Sequence, residues 1–263
     1  SAALDESGEA TNLQTVSYSD TTWALLFNAA EGSVLQNQQL RQALAGIARE
    51  NADVPSSGLY TAAKGLVPEG LTVDGLDYRE TAGDPLPTIP EPKALYLAAR
   101  QGMATSDFSG VTLLLPKNAG LGELADQINS AWQKEFSLFF SVEEVEPEEF
   151  QKRLENGSYT IELAPVQAEG GSVYTALAQF SPAGGGLTGY SDALYTTQLS
   201  ASATATGSTR CSLLAACERQ LLEQAVAVPL FTQQKRLLVA NGIEGLVFDP
   251  FGPVLDVTYA TKG

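Results

Sequence analysis

The side chains that could do chemistry in this chain are mainly carboxylates. The 263 residues include 31 aspartates and glutamates, 15 lysines and arginines, and no histidine. Without histidine the chain has no Ser-His-Asp or Cys-His catalytic group and lacks the commonest general base. The enzyme class that remains is a hydrolase using two carboxylates, which needs two acids converging in one cleft. No pair of acids is singled out by its spacing, so the sequence predicts a protein that is not an enzyme.

Metal and phosphate sites have equally little support. The two cysteines, Cys211 and Cys217, are too few for a closed structural zinc site. The glycine-rich phosphate-binding motifs G-x-x-x-x-G-K-[ST] and G-x-G-x-x-G do not occur. The acidic stretch 143–149 could hold Ca²⁺, but its spacing fits no EF-hand loop. Its pattern instead predicts the solvent side of a strand followed by a helix N-terminus, where carboxylates are favoured. We therefore predict no metal and no cofactor.

The charge of the chain limits its partners. A formal net charge of −16 at pH 7 repels phosphate backbones and anionic lipid, so nucleic-acid and membrane-surface partners are disfavoured. No apolar run reaches the roughly 18 residues of a membrane-spanning helix. Residues 1–12 lack the basic and apolar regions of a signal peptide. We expect either that an export signal has been removed or that the chain is a piece of a longer protein.

The hydrophobic pattern predicts the elements that must position any site. It predicts a buried strand at 21–27, a helix at 37–50 with Asn37 as N-cap, and an irregular excursion with one short helix at 51–92. The later predicted helices lie at 92–103, 122–136, 147–154, 172–180, 192–203 and 209–225, and the strands at 111–115, 138–142, 159–163 and 235–240. Alternation over 111–163 is typical of right-handed βαβ units. We predict an α/β fold with a mostly parallel sheet flanked by helices.

Four segments of the chain form an ordered series of motifs. In WALLFNAAEGSVLQNQQLRQAL, a strand ends at Phe27 and Asn28, and a helix then carries Arg-Gln-Ala-Leu at 41–44. The other three are PKALYLAARQGM, the βαβαβ segment from VTLLLPKNAG to YTIEL, and ERQLLEQAVAVPLFTQQKRLLVANGIEGL. Each motif alone is weak, but their order and spacing over residues 15–263 resemble extracellular solute-binding protein family 5, which serves peptide and nickel ABC transporters.

The resemblance implies a periplasmic-binding-protein-like lobe. A complete member of this family has two lobes joined by a hinge, with the ligand enclosed between them. Residues 20–240 correspond to the second, C-terminal lobe, 241–263 to a tail that returns to the first lobe, and 1–19 to a linker or hinge segment. The chain is therefore expected to be a C-terminal lobe fragment.

The resemblance also implies a function and a location. We expect the substrate-binding component of a bacterial ABC importer for peptides, with transporter permease subunits as partners. The protein would be monomeric and either periplasmic or extracellular, reaching the membrane only through a lipid anchor on the missing N-terminal part. The alternatives are a receptor for a sugar, a metal chelate or a signalling peptide, and a surface interaction domain without a ligand.

One loop is the candidate ligand anchor. In peptide-binding members, the loop after the third strand of the βαβαβ segment offers an aspartate to the ligand's α-amino group, a charge-assisted hydrogen bond. The matching loop, 164–174, has no aspartate, and its carboxylate is Glu169, followed by Gly170 and Gly171. Glu169 is either the ammonium anchor or a solvated loop glutamate. The departure from aspartate puts a free peptide N-terminus in doubt as the recognised feature.

A second glycine loop, GGGLTGY at 184–190, is the other candidate ligand segment. Gly185 and Gly186 could let backbone groups approach a ligand, and Tyr190 occupies the place of a tyrosine in a family turn. The alternative is a mobile loop. Asp192 is predicted to be a helix N-cap.

Five more residues have structural predictions. Trp132 lies on the apolar face of its helix, which favours core packing over a ligand-stacking role; Trp23 is the other tryptophan considered for such a role. Arg41 could pair with a ligand carboxylate, but we expect a structural salt bridge. If Cys211 and Cys217 share one helix, about 9 Å of rise separates them, more than the 7 Å that a disulfide tolerates. We predict free thiols, with Cys217 packed and Cys211 partly exposed.

Overall fold

The segment Thr21–Phe27 is apolar almost throughout because both faces of its strand are covered. The structure is a computed structural model that describes residues 13–56, 58–240, 243–244 and 261–262. A six-stranded sheet has the order β2-β8-β1-β7-β5-β6. The strands are β1 Leu13–Phe27, β2 Tyr60–Ala62, β3 Thr72–Val73, β4 Leu76–Asp77, β5 Thr112–Pro116, β6 Ser141–Val145, β7 Ile161–Gln167, β8 Ala227–Ala240, β9 Ile243–Glu244 and β10 Thr261–Lys262.

Helices cover both faces of this sheet. They are α1 Gln38–Asn51, α2 Tyr78–Ala82, α3 Pro92–Arg100, α4 Gly122–Phe136, α5 Pro147–Asn156, α6 Val173–Ala178, α7 Ala193–Thr204 and α8 Gly207–Glu223. Each predicted helix is present, within a few residues of its predicted limits. Among the described residues, no helix combines the length and the hydropathy needed to cross a bilayer.

Four of the six strands run in the same direction, as predicted for a mostly parallel sheet. Strand β5 pairs in parallel with β6 and β7, while β1 is antiparallel to both β7 and β8, and β2 is antiparallel to β8. The predicted order β5-α4-β6-α5-β7 is confirmed. Strand β6 starts at Ser141 rather than at 138, because the Asn129 amide of α4 holds the backbone N–H and carbonyl of Phe140, at 2.9 and 2.6 Å.

Two hydrophobic cores lie on opposite faces of the sheet. Alternating side chains of β1 explain both, since Leu25 and Phe27 face one core while Ala24 and Leu26 face the other. We call them the α1-side core, which α1, α3 and α4 cover, and the α8-side core, which α2, α5, α6, α7 and α8 cover. Because both faces of the sheet are covered, a site must lie at one end of the strands, where the loops leave them.

The segment 51–92 is more ordered than its composition predicts. Helix α2 is the expected short helix, but β2 joins the sheet and β3 and β4 form a hairpin. A buried polar cluster fixes this segment to α8. The Glu218 carboxylate, which is fully buried, accepts hydrogen bonds from Arg79 at 2.9 and 3.1 Å, from the Tyr78 hydroxyl at 2.9 Å and from the Val67 N–H at 3.0 Å.

Strands β1 and β8 are much longer than predicted. Residues 13–18 pair with 235–240 beyond the rest of the sheet and form a two-stranded ribbon, called the ribbon below. The predicted linker 1–19 thus ends in regular strand from Leu13 onward, while residues 1–12 lie outside the described residues. Of the predicted tail 241–263, the structure describes β9 and β10, which pair antiparallel. Pro229 is accommodated in β8 at a shift of register, where no ladder N–H is required.

Candidate functional site

The loop after β7 forms a tight 3₁₀ turn, Glu169–Gly171. The Gly171 N–H donates to the Ala168 carbonyl at 2.9 Å, and the Ser172 N–H donates to the Glu169 carbonyl at 3.1 Å. Gly170 and Gly171 have φ of 60° and 67°, conformations that cost glycine least. Both glycines therefore have a backbone reason to be there. Ser172 then caps α6 by accepting from the Thr175 N–H.

The Glu169 side chain is exposed at the carboxyl end of β7. Within the described part of the chain, its carboxylate makes no hydrogen bond and no ion pair. The ribbon leaves the sheet at this same end of the strands, since the Ala168 N–H donates to the Asp20 carbonyl of β1 at 2.7 Å. A carboxylate placed in this way is free to accept a ligand cation.

A cavity of about 270 Å³ adjoins this turn. It is lined by Thr72, Val73, Asp74, Gly170, Gly171, Ser172, Val173, Tyr174, Arg210 and Leu214. The Asp74 carboxylate, from the β3–β4 hairpin, pairs with Arg210 at 3.1 Å and accepts from the Gly207 N–H at 2.7 Å, capping α8. Sequence reasoning missed Asp74 and Arg210. The Asp74-Gly75 dipeptide was an available hairpin signal, but its contact with α8 spans 136 residues.

The second glycine loop lies at the opposite end of the strands, next to the amino end of β7. The Ala29 N–H, just after β1, donates to the Thr188 carbonyl at 2.7 Å, and the Tyr159 hydroxyl, just before β7, donates to the Leu187 carbonyl. Gly185 and Gly186 sit in the turn that leads there. The structure therefore separates Gly185, Gly186 and Tyr190 from Glu169, Gly170 and Gly171, and the six residues do not form one site.

Tyr190 is buried and has local partners. Its hydroxyl accepts from the Gln220 side chain at 2.9 Å, and its ring lies edge-on to Tyr195 with centroids 6.1 Å apart. Asp192 caps α7 by accepting from the Tyr195 N–H at 2.9 Å, which confirms the N-cap prediction. These contacts give this loop a packing role.

Arg41 has a structural role, but the predicted salt bridge is wrong. Its guanidinium is buried and donates to the carbonyls of Leu35, Gln36 and Gln224, at 2.7, 2.9 and 3.0 Å. In the described residues no carboxylate lies within ion-pair distance of it. Burial lowers the pKa of Arg41 to about 10, so the group still carries its charge at neutral pH. The positive charge sits where α8 ends, which suits the helix dipole.

The tryptophans and cysteines also belong to the cores. Trp132 is fully buried, as predicted, and donates to the Leu44 carbonyl at 2.9 Å; Trp23 stacks on Phe231 with centroids 6.2 Å apart. Cys211 and Cys217 are both free and both within α8. The prediction that Cys211 is partly exposed is wrong, because the β3–β4 and α2 segment covers the first turns of α8.

The acidic stretch behaves as ordinary surface. Arg153 of α5 pairs with Glu143 at 2.7 Å and with Glu149 at 2.9 Å, while Lys117 pairs with Glu146 at 2.7 Å. In the described ranges, no three His, Cys, Asp or Glu side chains are grouped so that they could hold a metal ion.

Larger cavities than the one beside the Glu169 turn lie elsewhere, and two of them are at the opposite end of the strands from the ribbon. Two open depressions of about 610 and 360 Å³ share Ser33, Val34 and Asp107. Size alone therefore does not single out the Glu169 turn; its position does, at the carboxyl ends of the parallel strands, where α/β sheets bind their ligands.

Known proteins match this chain by structure. No family model and no curated protein matches the sequence. The pheromone receptor PrgZ, in a structure describing its mode of peptide binding, matches at a TM-score of 0.74 and 19% identity, over 97% of this chain and 51% of the receptor. Peptide-bound Listeria monocytogenes OppA matches at 0.72 and 18%, over 97% and 51%. A peptide-binding protein of a peptide ABC transporter matches at 0.69 and 20%, over 83% of this chain and all of that one.

These matches establish the fold. The chain spans about half the length of PrgZ and OppA, and it has the α/β fold of that half.

Proposed function

We propose that this chain is the second lobe of a two-lobed substrate-binding receptor that serves an ABC importer for peptides. The observation that carries the proposal is the ribbon. Strands β1 and β8 leave the sheet together, at the end of the strands that carries the Glu169 turn. The matches to PrgZ and OppA, which cover about half of each of those proteins, include 97% of this chain. The ribbon would join the first lobe, and a peptide would be enclosed between that lobe and the end of the strands that carries the Glu169 turn.

A binding role agrees with the carboxylates of the lobe better than a hydrolase does. Burial raises the pKa of Glu162 to about 8, opposed by Arg153, but Glu162 is fully buried between β1 and β5 and lines none of the cavities described above. A general acid must reach its substrate. The raised pKa therefore reflects core burial, and we assign this lobe no catalytic residue.

The partners and location follow as parts of the same proposal. The ligand is a peptide, and the transporter's permease subunits receive the loaded receptor. The receptor works outside the cytoplasm, held at the membrane by a lipid anchor that precedes this lobe. A structure in the same group of matches is named a periplasmic murein tripeptide binding protein.

Calorimetry of this chain against a mixed library of di- to hexapeptides tests the proposal. Because half a cleft leaves a ligand largely hydrated, we expect no binding tighter than roughly millimolar, about 4 kcal/mol. The complete two-lobed protein should bind members of the same library at micromolar or better. Micromolar binding to the isolated chain would contradict the proposal, as would a complete protein that binds no member of the library.

A further inference from the structure

The junction between the ribbon and the sheet contains a β-bulge. Between the pairs Tyr18–Lys235 and Thr21–Gln233, the two residues Ser19 and Asp20 of β1 face the single residue Gln234 of β8. One extra residue on one strand bends that strand and increases its twist. The direction in which the ribbon leaves the lobe is therefore set at this bulge.

The backbone of the bulge is bonded directly to the Glu169 turn. The Asp20 carbonyl accepts from the Ala168 N–H at 2.7 Å, and the Ala168 carbonyl accepts from the Gly171 N–H at 2.9 Å. Ala168 is buried, so it cannot move freely in solvent. Two consecutive hydrogen bonds thus connect the bulge, the last residue before the turn and the turn itself.

The side chains of the bulge form a second connection, to β8. Lys235 Nζ lies 2.6 Å from Asp20 Oδ2, and Asp20 Oδ1 accepts from the Thr21 hydroxyl at 2.7 Å. The same ammonium lies 5.8 Å from the centre of the Tyr18 ring, which belongs to the ribbon. The side chain of Lys235 is 37% exposed and that of Asp20 is 19% exposed. A partly exposed pair contributes little to global stability, so removing it should change the bulge without unfolding the lobe.

We propose that the Asp20 bulge is the joint that couples bending of the ribbon to the position of the Glu169 turn, and that Lys235 holds the joint in register. This inference rests on the proposed function, because the coupling serves binding only if the ribbon leads to a lobe that closes over the turn. Asp20 and Lys235 are positioning residues: they act on the turn through Ala168.

Amide exchange in this chain tests the joint without any ligand. In Asp20→Asn and in Lys235→Met, the Ala168 N–H should exchange about two- to fivefold faster by NMR, the scale of a lost partly exposed ion pair. The Leu163 N–H, in the middle of β7, should keep its rate. Lys64→Met removes the pair between Lys64 and Glu69, which are 2.7 Å apart elsewhere on the surface, and should leave Ala168 unchanged. An unchanged Ala168 rate in both joint variants would overturn the inference.

The complete two-lobed protein tests whether the joint affects binding. Asp20→Asn and Lys235→Met should each weaken peptide binding about two- to fivefold and change the peptide-free radius of gyration in X-ray scattering, whereas Lys64→Met should change neither. The double variant should lose no more than either single one, since both remove the same pair. Unchanged affinity in variants of a protein that binds peptide would reject the coupling and leave the proposed function intact. A wild-type protein that binds no peptide would instead reject the proposed function, and the Ala168 rates would still decide whether the bulge positions the turn.

Discussion

At the scale of single residues, Glu169 and Glu162 show what solvent exposure does to a carboxylate. Glu169 is exposed and has no partner within the described residues, so its charge is available to a ligand. Glu162 is fully buried, and neither of its carboxylate oxygens has a hydrogen-bond partner in that part of the chain. An unpaired carboxylate in a core is stable only when protonated. Burial therefore keeps Glu162 largely protonated at neutral pH, below its raised pKa of about 8.

The first residue-scale prediction concerns Glu169 in the complete two-lobed receptor proposed above. If its carboxylate anchors a ligand ammonium, Glu169→Gln should weaken peptide binding by about 1.5–3 kcal/mol, the range for a charged hydrogen bond. Calorimetry with a peptide that binds the wild-type protein measures this change. Glu155→Gln, an exposed glutamate on α5, is the control and should bind normally. Equal affinities for wild type and Glu169→Gln would make Glu169 a solvated loop residue.

The second residue-scale prediction is a pH dependence of stability caused by Glu162. Its pKa is about 8 in the folded chain, against an ordinary value of 4.5, so the folded state keeps a proton that the unfolded state has lost. The associated stability is complete below pH 4.5 and is lost as the pH rises towards 8, by up to about 1.4 kcal/mol per pH unit.

Urea unfolding at pH 5, 6, 7 and 8 measures this slope. Glu162→Gln cannot ionise, so its stability should fall less steeply over this range than that of the wild type. Glu155→Gln should keep the wild-type slope. The same slope in Glu162→Gln and wild type would mean that Glu162 is not protonated in the folded state.

At the scale of elements, the helix that begins Gln-Gln-Leu-Arg is fastened to the end of α8. Arg41 donates to Gln224 and to the two carbonyls before α1, while Gln38 and Gln42 both donate to the Glu223 carbonyl. The last carbonyls of a helix have no partners within it. Side chains at the start of α1 therefore complete the end of α8, which explains the first residues of the Arg-Gln-Ala-Leu sequence structurally.

This arrangement predicts a large effect for Arg41. Arg41→Ala should destabilise the fold by about 2–5 kcal/mol, because three buried or half-buried carbonyls lose a charged donor. The free energy of unfolding in urea measures the loss. Arg219→Ala, at an exposed arginine of α8, should change it by no more than about 0.5 kcal/mol. A loss below about 1 kcal/mol for Arg41→Ala would show that water replaces the guanidinium.

At the scale of the whole molecule, one sheet separates two cores and also joins them. Strands β1, β5 and β7 contribute alternate side chains to both cores. If one core lost its packing, these strands would be disturbed and the other core would lose contacts as well. We therefore expect the described part of the chain to unfold as a single unit, although it is larger than most domains that unfold in two states.

The two cores carry separate natural probes of this cooperativity. Trp132 is fully buried in the α1-side core, and Cys217 is fully buried in the α8-side core. Tryptophan fluorescence and pulsed thiol labelling should therefore give the same urea midpoint. Cys211→Ser leaves Cys217 as the single labelled thiol and should give that midpoint too, after correction for any change in stability. Two separate midpoints would show that the cores unfold independently.

The sequence by itself determined the elements and their class. Each of these predictions rested on local information: periodicity over 10 to 15 residues, capping residues such as Asn37 and Asp192, and strand and helix alternation between β5 and β7. The same local reasoning correctly placed Trp132 in a core and both cysteines in one helix. The Arg-Gln-Ala-Leu sequence and three other ordered segments pointed to the fold that the solved structures show.

Only the tertiary structure decided which residues meet. Glu169 and Tyr190 lie 21 positions apart in the sequence, yet they are at opposite ends of the strands, because α6 and the loop after it run from one end to the other. Asp74 and Arg210 are 136 positions apart and touch. Cys211 is covered, and Arg41 finds carbonyls in place of a carboxylate, through contacts that no local pattern encodes. The ribbon could be recognised only from the pairing of β1 with β8, because register between strands more than 200 residues apart depends on packing across the whole sheet.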